Sequence, residues 1–373
     1  METMKQFITK KTKNNGIRFG DRLADHTEDG VYMFKENGFW TGGFWTGLNW
    51  LCYEMTGEEV FMKSARGGGE RLRKRVYEAP GTLDHDAGFL YCLSFVADYK
   101  LTGNEEAKRT ALAAADLLKS RFNEAGKFIQ AWNVWVPGEA FSEENRGRII
   151  IDCMYNLPLL FWATEVTGDE SYREVATAHA QTCAGTIIRP DYTTFHTYVF
   201  DPVNGEPKYG RTFQGYSDDS CWSRGQTWAM GGFTYAYKYT QNPFFLEMAR
   251  KCTDVFLAKI GGDDVPFWDF DLPSRLGEPR DTSAAAIAAA SMLELAAYVP
   301  AADSLRYREK AKSIVDTLFH EYSTRHNPQH EGLLEQACSH KPENSQTNCS
   351  LIYGDYYFAE AVARLANCTK AYW

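Results

Sequence analysis

One unit recurs along the chain: an apolar segment, a polar turn marked by threonine, and an amphipathic segment that is often rich in alanine. Copies occur as CYEMTGEEVFMKSA at 52–65, DYKLTGNEEAKRTALAAADLL at 98–118 and WATEVTGDESYREVATAHA at 162–180. A weaker copy is YKYTQNPFFLEMARKCTDVF at 237–256, and a diffuse fifth is AYVPAADSLRYREKAKSIVDTL at 297–318. Such a unit cannot bury its apolar face alone, so successive copies must pack on one another. The segments before the turns are apolar nearly all round: FWTGLNWLCYEM, AGFLYCLSFVADY, NLPLLFWATEV, WAMGGFTYAYKY, SAAAIAAASMLELAAY and YYFAEAVARLA. Helices of that kind are buried, whereas those with a single apolar stripe lie outside. Five outer helices follow the turns, and the stretch 2–13 supplies a sixth. Twelve alternating helices predict an all-α fold, an (α/α)6 toroid, formed by one domain over residues 1–373. Only DYTTFHTYVFDP at 191–202 reads as a local hairpin strand.

In such a ring the N-termini of all inner helices open on the same rim. The stretches that precede them are 37–45, 84–89, 148–156, 218–228, 280–283 and 354–357, and they carry most of the Trp, Asp, His and Arg suited to chemistry. The densest is DDSCWSRGQTW, 218–228. If it opens a helix, Trp222 and Gln226 share a face, as do Arg224 and Trp228. Flat aromatic rings suit the apolar faces of a sugar, and an arginine fork matches a carboxylate. Arg224 is equally open to a second reading, in which it braces the site by pairing with nearby acids. Asp281 and Asp355 read as helix N-caps.

A net charge of −9 argues against non-specific binding to nucleic acid or anionic membranes, and makes any functional arginine more conspicuous. No run approaches the length of a membrane span, and METMKQFITKKTKNNG has no apolar signal core. The nine cysteines form no CxxC pair, so they are expected to be reduced and the protein cytoplasmic. There is no HExxH, zinc-type cysteine pair, P-loop, GxGxxG or GxSxG, so neither a metal nor a cofactor is expected.

Two acids stand in settings that favour proton transfer. Asp86 follows His85 in TLDHDAGFLY, and Asp152 follows three isoleucines in RIIIDCMYNLPLL. A carboxyl buried among apolar neighbours without partners has a raised pKa, which makes it a proton donor at neutral pH. Two carboxylates facing a sugar are also the usual equipment of glycoside hydrolysis. His85 and His196 are the histidines placed to meet a ligand, although His196 is equally open to a surface role. His179 reads as structural. Gln214, in TFQGYSDDS, is open to a hydroxyl contact or a turn role.

The motifs NGFWTGGFWTG, HDAGFLY, GRIIIDCMYNLPLL, FHTYVFDP, TFQG and SCWSRGQTWAMGGF resemble those of the unsaturated glucuronyl hydrolases of glycoside hydrolase family 88. The resemblance runs from FGDRLADHTEDG to YGDYYFAEAVARL and implies an (α/α)6 barrel. It implies removal of the 4,5-unsaturated uronic acid that polysaccharide lyases leave at the non-reducing end of oligosaccharides. Asp152 would then be the general acid/base and Asp86 its supporting carboxylate. Trp40, His85, His196, Gln214, Trp222, Arg224 and Trp228 would line the subsite of the unsaturated sugar. Gly42 departs from relatives that carry an acid or amide there, and CSHKPENSQTNCS falls where relatives meet the second sugar. The related unsaturated rhamnogalacturonyl hydrolases share the fold and reaction, but SCWSRGQTW and HDAGF are closer to the glucuronyl family. A non-catalytic glycan-binding toroid would have no need of both acids. The oligomeric state is not legible.

Overall fold

Each recurring threonine ends one helix and helps to start the next. In the computed structural model, which describes residues 1–373, the hydroxyls of Thr56, Thr102, Thr167 and Thr240 donate to the carbonyls of Cys52, Asp98, Ala163 and Ala236 at 2.6–2.9 Å. The following residue (Gly57, Gly103, Gly168 or Gln241) takes the left-handed conformation that terminates a helix. Asn104, Asp169 and Asn242 then cap the next helices with their side-chain oxygens. The chain thus reverses within a few residues.

The inner helices are Gly42–Thr56, Ala87–Tyr91, Pro158–Thr167, Ser223–Thr240, Thr282–Leu295 and Ile352–Leu365. The second of them continues through a π turn, Cys92–Val96, into Ala97–Thr102. The outer helices are Glu2–Phe19, Glu59–Glu78, Glu105–Ser120, Glu170–Thr186, Pro243–Ile260 and Ala301–Glu321. Every residue of Thr282–Leu295 is buried. Glu105–Ser120, by contrast, buries only the stripe Ala107, Thr110, Ala111, Ala114, Ala115 and Leu118. Successive inner helices pack on one another, and the last packs on the first, which closes the (α/α)6 ring. A continuous core runs from Met4 to Trp373. Trp373 sits among Phe89, Tyr155, Tyr235 and Tyr356 of the inner elements, with its ring parallel to Tyr357 and its indole N–H donating to Glu360.

Two glycines let inner elements come closer than side chains would permit. A Cβ on Gly43 would lie 2.0 Å from the carbonyl oxygen of Phe89, and one on Gly88 would lie 2.3 Å from the Cα of Asn156. Gly88 therefore seats the start of its helix directly against the turn Ile151–Tyr155.

Four small antiparallel sheets decorate the loops between outer and inner helices. The expected strand is Thr197–Phe200, which pairs with Pro207–Arg211 and, on its other side, with Arg148–Ile150. That third strand was not foreseen. Its β-branched isoleucines favour extended backbone, and the helix after them waits until Pro158 at its first turn. Asp281 caps Thr282–Leu295 as expected, accepting from Ser283 N at 3.0 Å. Asp355 does not act as an N-cap. Its helix begins three residues earlier, at Ile352, and its carboxylate instead accepts from Leu333 N, Leu334 N and the Tyr32 hydroxyl at 2.6–2.9 Å. It staples two distant loops together. No helix is long and apolar enough to cross a membrane.

Candidate active site

The rim where the inner helices begin encloses a cavity of about 530 Å³. Trp40, His85, Asp86, Asp152 and Gln214 line it, together with Arg75, Asp84, Trp132, Trp135, Phe213, Ser339 and His340. The local fold explains the convergence. Trp40 immediately precedes one inner helix, and its ring packs on Tyr353 with centroids 4.8 Å apart. His85 and Asp86 precede the next, whose close seating at Gly88 lets Phe89 N donate to the Asn156 side-chain oxygen at 2.7 Å. Asp152 lies in the turn Ile151–Tyr155, carried there by the strand Arg148–Ile150. Gln214 follows Pro207–Arg211 and donates from Nε2 to the Ser339 carbonyl at 3.0 Å.

The two acids are held in neutral-leaning surroundings. Asp152 keeps a partly exposed edge, while its Oδ1 is buried without a protein partner. Burial pushes its carboxyl up to about 7, and the positive charge of Arg224 pulls the other way. Asp86 is pushed well above the carboxylate range by burial, then by the negative charges of Asp84 and Asp152. Its hydrogen-bond partner is the neutral amide of Asn156, at 3.4 Å. Burial and the nearby Arg121 hold His85 well below the ordinary histidine range, so its ring is neutral. Neither of its ring nitrogens has a hydrogen-bond partner, and Nε2 lies 3.6 Å from Asp86. An arrangement of buried carboxyls with high pKa values and a neutral imidazole is suited to giving and taking one proton near neutral pH.

His196, Trp222, Arg224 and Trp228 stand in a second layer behind the cavity wall. His196 Nδ1 accepts from both Phe213 N and Gln214 N at 3.1 Å, so the hydrogen of the neutral ring sits on Nε2, a buried donor with no protein acceptor. Its ring lies 4.3 Å from that of Trp222. Of the two roles open to Arg224, the contacts carry the bracing one. Nη1 donates to Asp281 and to the Cys338 carbonyl, both at 2.7 Å, and Nη2 donates to the Ser339 carbonyl at 2.8 Å. Its guanidinium also stacks over Trp222, 4.4 Å from the ring centre. Trp228 packs among Phe89, Tyr155 and Tyr357, with its indole N–H buried and unpartnered. His179 is structural: Nδ1 accepts from Ile129 N at 2.9 Å, and burial pushes it down to about 3.

Several cavity residues were missed in the sequence. Trp132 and Trp135 both pack on Phe213, with centroids 5.3 and 5.8 Å apart. The signal was present in QAWNVWVPG, two aromatics in a loop just ahead of a Pro-Gly turn. Arg75 had no such signal. It lies on an outer helix, yet it reaches the cavity and donates to the carbonyls of Asn37, Phe39 and Thr82.

Asp84, His85 and Asp86 also place three possible metal-ligand atoms within 4.8 Å of one another. Burial pushes the carboxyls of Asp84 and Asp86 toward their protonated forms, and protonated carboxyls are weak ligands for a cation. Exhaustive chelation is therefore expected to leave turnover unchanged. A rate lost to chelator and restored by one divalent ion would show that this triplet holds a metal.

Comparison with known proteins matches this arrangement. The Glycosyl Hydrolase Family 88 profile matches residues 17–358. The unsaturated glucuronyl hydrolase of Bacillus sp. (strain GL1) is 40% identical over 366 residues, covering 97% of this chain and 96% of that protein. Its crystal structure superposes with a TM-score of 0.93 over 98% of this chain and 97% of that one. The unsaturated chondroitin disaccharide hydrolase of Streptococcus pneumoniae (strain ATCC BAA-255 / R6) is 36% identical over 93% of this chain and 87% of its own length. With the ring, the rim cavity and the family profile in agreement over most of its length, this chain belongs to glycosyl hydrolase family 88.

Proposed function

We propose that the protein releases the 4,5-unsaturated uronic acid from the non-reducing end of lyase-generated oligosaccharides, glycosaminoglycan fragments among them, by hydrating the C4=C5 double bond. The observation that carries this reading is Asp152: one carboxyl titrating near neutrality, with an edge on an aromatic-lined cavity. Relatives named for unsaturated glucuronyl and chondroitin disaccharide substrates support it. In the reaction, protonated Asp152 gives its proton to C-4 of the enol ether, and positive charge develops at C-5 and the ring oxygen. Water adds at C-5 as the Asp152 carboxylate takes up its proton. The resulting hemiketal opens by breaking the bond between C-5 and the ring oxygen, and the exposed hemiacetal at C-1 releases the rest of the oligosaccharide as an alcohol. Asp86, whose own carboxyl is pushed up by burial and by the charges of Asp84 and Asp152, stands in the same cavity as the supporting carboxyl. Trp40, His85 and Gln214 hold the ring from the wall. His196, Trp222, Arg224 and Trp228 support it from behind, with the Nε2–H of His196 and the indole N–H of Trp228 as spare donors. Residues 1–373 act as one catalytic unit. Nine free cysteines, seven of them buried, suit a reducing compartment such as the cytoplasm.

Hydration and ordinary glycoside cleavage leave different marks. A two-carboxylate glycosidase acts at the anomeric carbon and does not touch C-4. In deuterated water, the released 4-deoxy-5-keto sugar is expected to carry deuterium at C-4, read by NMR before keto–enol exchange scrambles it. A saturated uronide of the same linkage is expected to be inert. A product without C-4 deuterium, or ready cleavage of the saturated compound, would identify an ordinary glycosidase instead.

A further inference from the structure

A second groove, of about 600 Å³, adjoins the catalytic cavity and shares Asn37, Phe39, Arg75 and Thr82 with it. Beyond those shared residues its character changes. Lys35, Arg71 and Lys74 join Arg75 along it, against two acids, Glu36 and Glu78. The excess of positive charge is local, on a chain whose net charge is −9. Arg71 is partly neutralised by Asp21 at 3.0 Å, and Lys35 lies 3.9 Å from Asp25. Lys74 is exposed and forms no ion pair, so its charge is free for a ligand.

Phe39 stands at the junction of cavity and groove, and it is held there at a cost. Its φ of 46° is in the left-handed region, which side chains other than glycine disfavour, and its ring is 50% exposed. Two contacts enforce the conformation: the Asn37 side chain accepts from Phe39 N at 2.9 Å, and Arg75 donates to the Phe39 carbonyl. Solvent exposure of an aromatic ring gains nothing for folding. A flat ring at the exit of a sugar-binding cavity does offer a stacking platform to the next sugar along.

We propose that this groove is a further subsite, in which Phe39 and Lys74 bind the third sugar of an unsaturated oligosaccharide through its ring face and its carboxylate. The proposal rests on the hydrolase reading above. In a glycosaminoglycan fragment, uronic acid alternates with an amino sugar. The sugar two places beyond the unsaturated residue is therefore again a uronic acid, and its carboxylate is what a free lysine would meet.

The test compares kcat/KM for three probes: an unsaturated hyaluronan disaccharide, the corresponding tetrasaccharide, and an unsaturated tetrasaccharide with neutral interior sugars. With Lys74→Glu, the hyaluronan tetrasaccharide is expected to lose about fivefold in kcat/KM, the scale of an exposed charge contact. The disaccharide and the neutral tetrasaccharide are expected to stay within about twofold of wild type, because neither presents a carboxylate to the groove. Added salt should shrink the tetrasaccharide's advantage in wild type more than in the variant. Equal effects of Lys74→Glu on all three probes, or no effect on any, would overturn the subsite while leaving the hydrolase reading intact. Failure of the wild type to cleave the disaccharide at all would overturn both.

Discussion

Asp152→Asn is expected to lower turnover of an unsaturated disaccharide by at least ~10²-fold, the lower range for losing general acid–base catalysis, while the protein stays folded. Asparagine keeps the shape of the side chain and removes the titrating group. In barrier terms the loss is at least about 2.7 kcal/mol. Because Asp152 must be protonated to donate, and burial raises its carboxyl to about 7, the wild-type rate should be full on the acid side of that value. It should fall as pH rises through it, and the residual rate of the Asp152→Asn variant should lose that limb. Near-wild-type turnover in the variant, or an unchanged alkaline limb, would remove Asp152 from the role of proton donor.

Arg224→Ala is expected to cost about 3–5 kcal/mol of stability, the range for removing one partner of a buried ion pair, measured as the shift in urea unfolding. Asp281 is fully buried and would lose its cation, and the carbonyls of Cys338 and Ser339 would lose their donors. Arg224→Lys should recover little of this, because an ammonium cannot span three acceptors with the geometry of the guanidinium fork. The same variant separates bracing from substrate capture. A protein with normal unfolding but a greatly raised KM for the anionic substrate would show that Arg224 is held for the substrate's carboxylate rather than for the wall.

The features legible in the sequence were those written in local chemistry. A threonine that closes one helix and precedes a cap recurs as a short string, and an inner helix buried all round shows as unbroken apolarity. Asp86 and Asp152 could be picked out because each lies next to the start of an inner segment and beside apolar neighbours. What stayed hidden depends on distance along the chain. Arg75 reaches a carbonyl 36 residues away. Asp355 looked like a cap because it directly precedes the apolar segment YYFAEAVARLA, whereas its carboxylate serves backbone groups 21 and 22 residues back and a hydroxyl 323 residues away. The strand Arg148–Ile150 was obscured because its apolar isoleucines stand directly ahead of an inner segment, and the partner that fixes them as a strand, Thr197–Phe200, lies far along the chain.

The seam between the first inner helix, Gly42–Thr56, and the last, Ile352–Leu365, bears on how the molecule is made. Ring closure joins segments some three hundred residues apart, and contacts of such separation are slow to form and come late. During synthesis at ~5–20 residues per second, the apolar flank of Gly42–Thr56 is without its partner until Ile352–Leu365 has left the ribosome. Trp40 and Asp86 emerge early, but Ser339 and His340, which also line the cavity, emerge with the last helix pair. A nascent chain therefore has no sugar pocket until nearly all of it has been made. A chain stalled short of the seam would present a long greasy crescent, the kind of surface that chaperones hold and aggregates grow from.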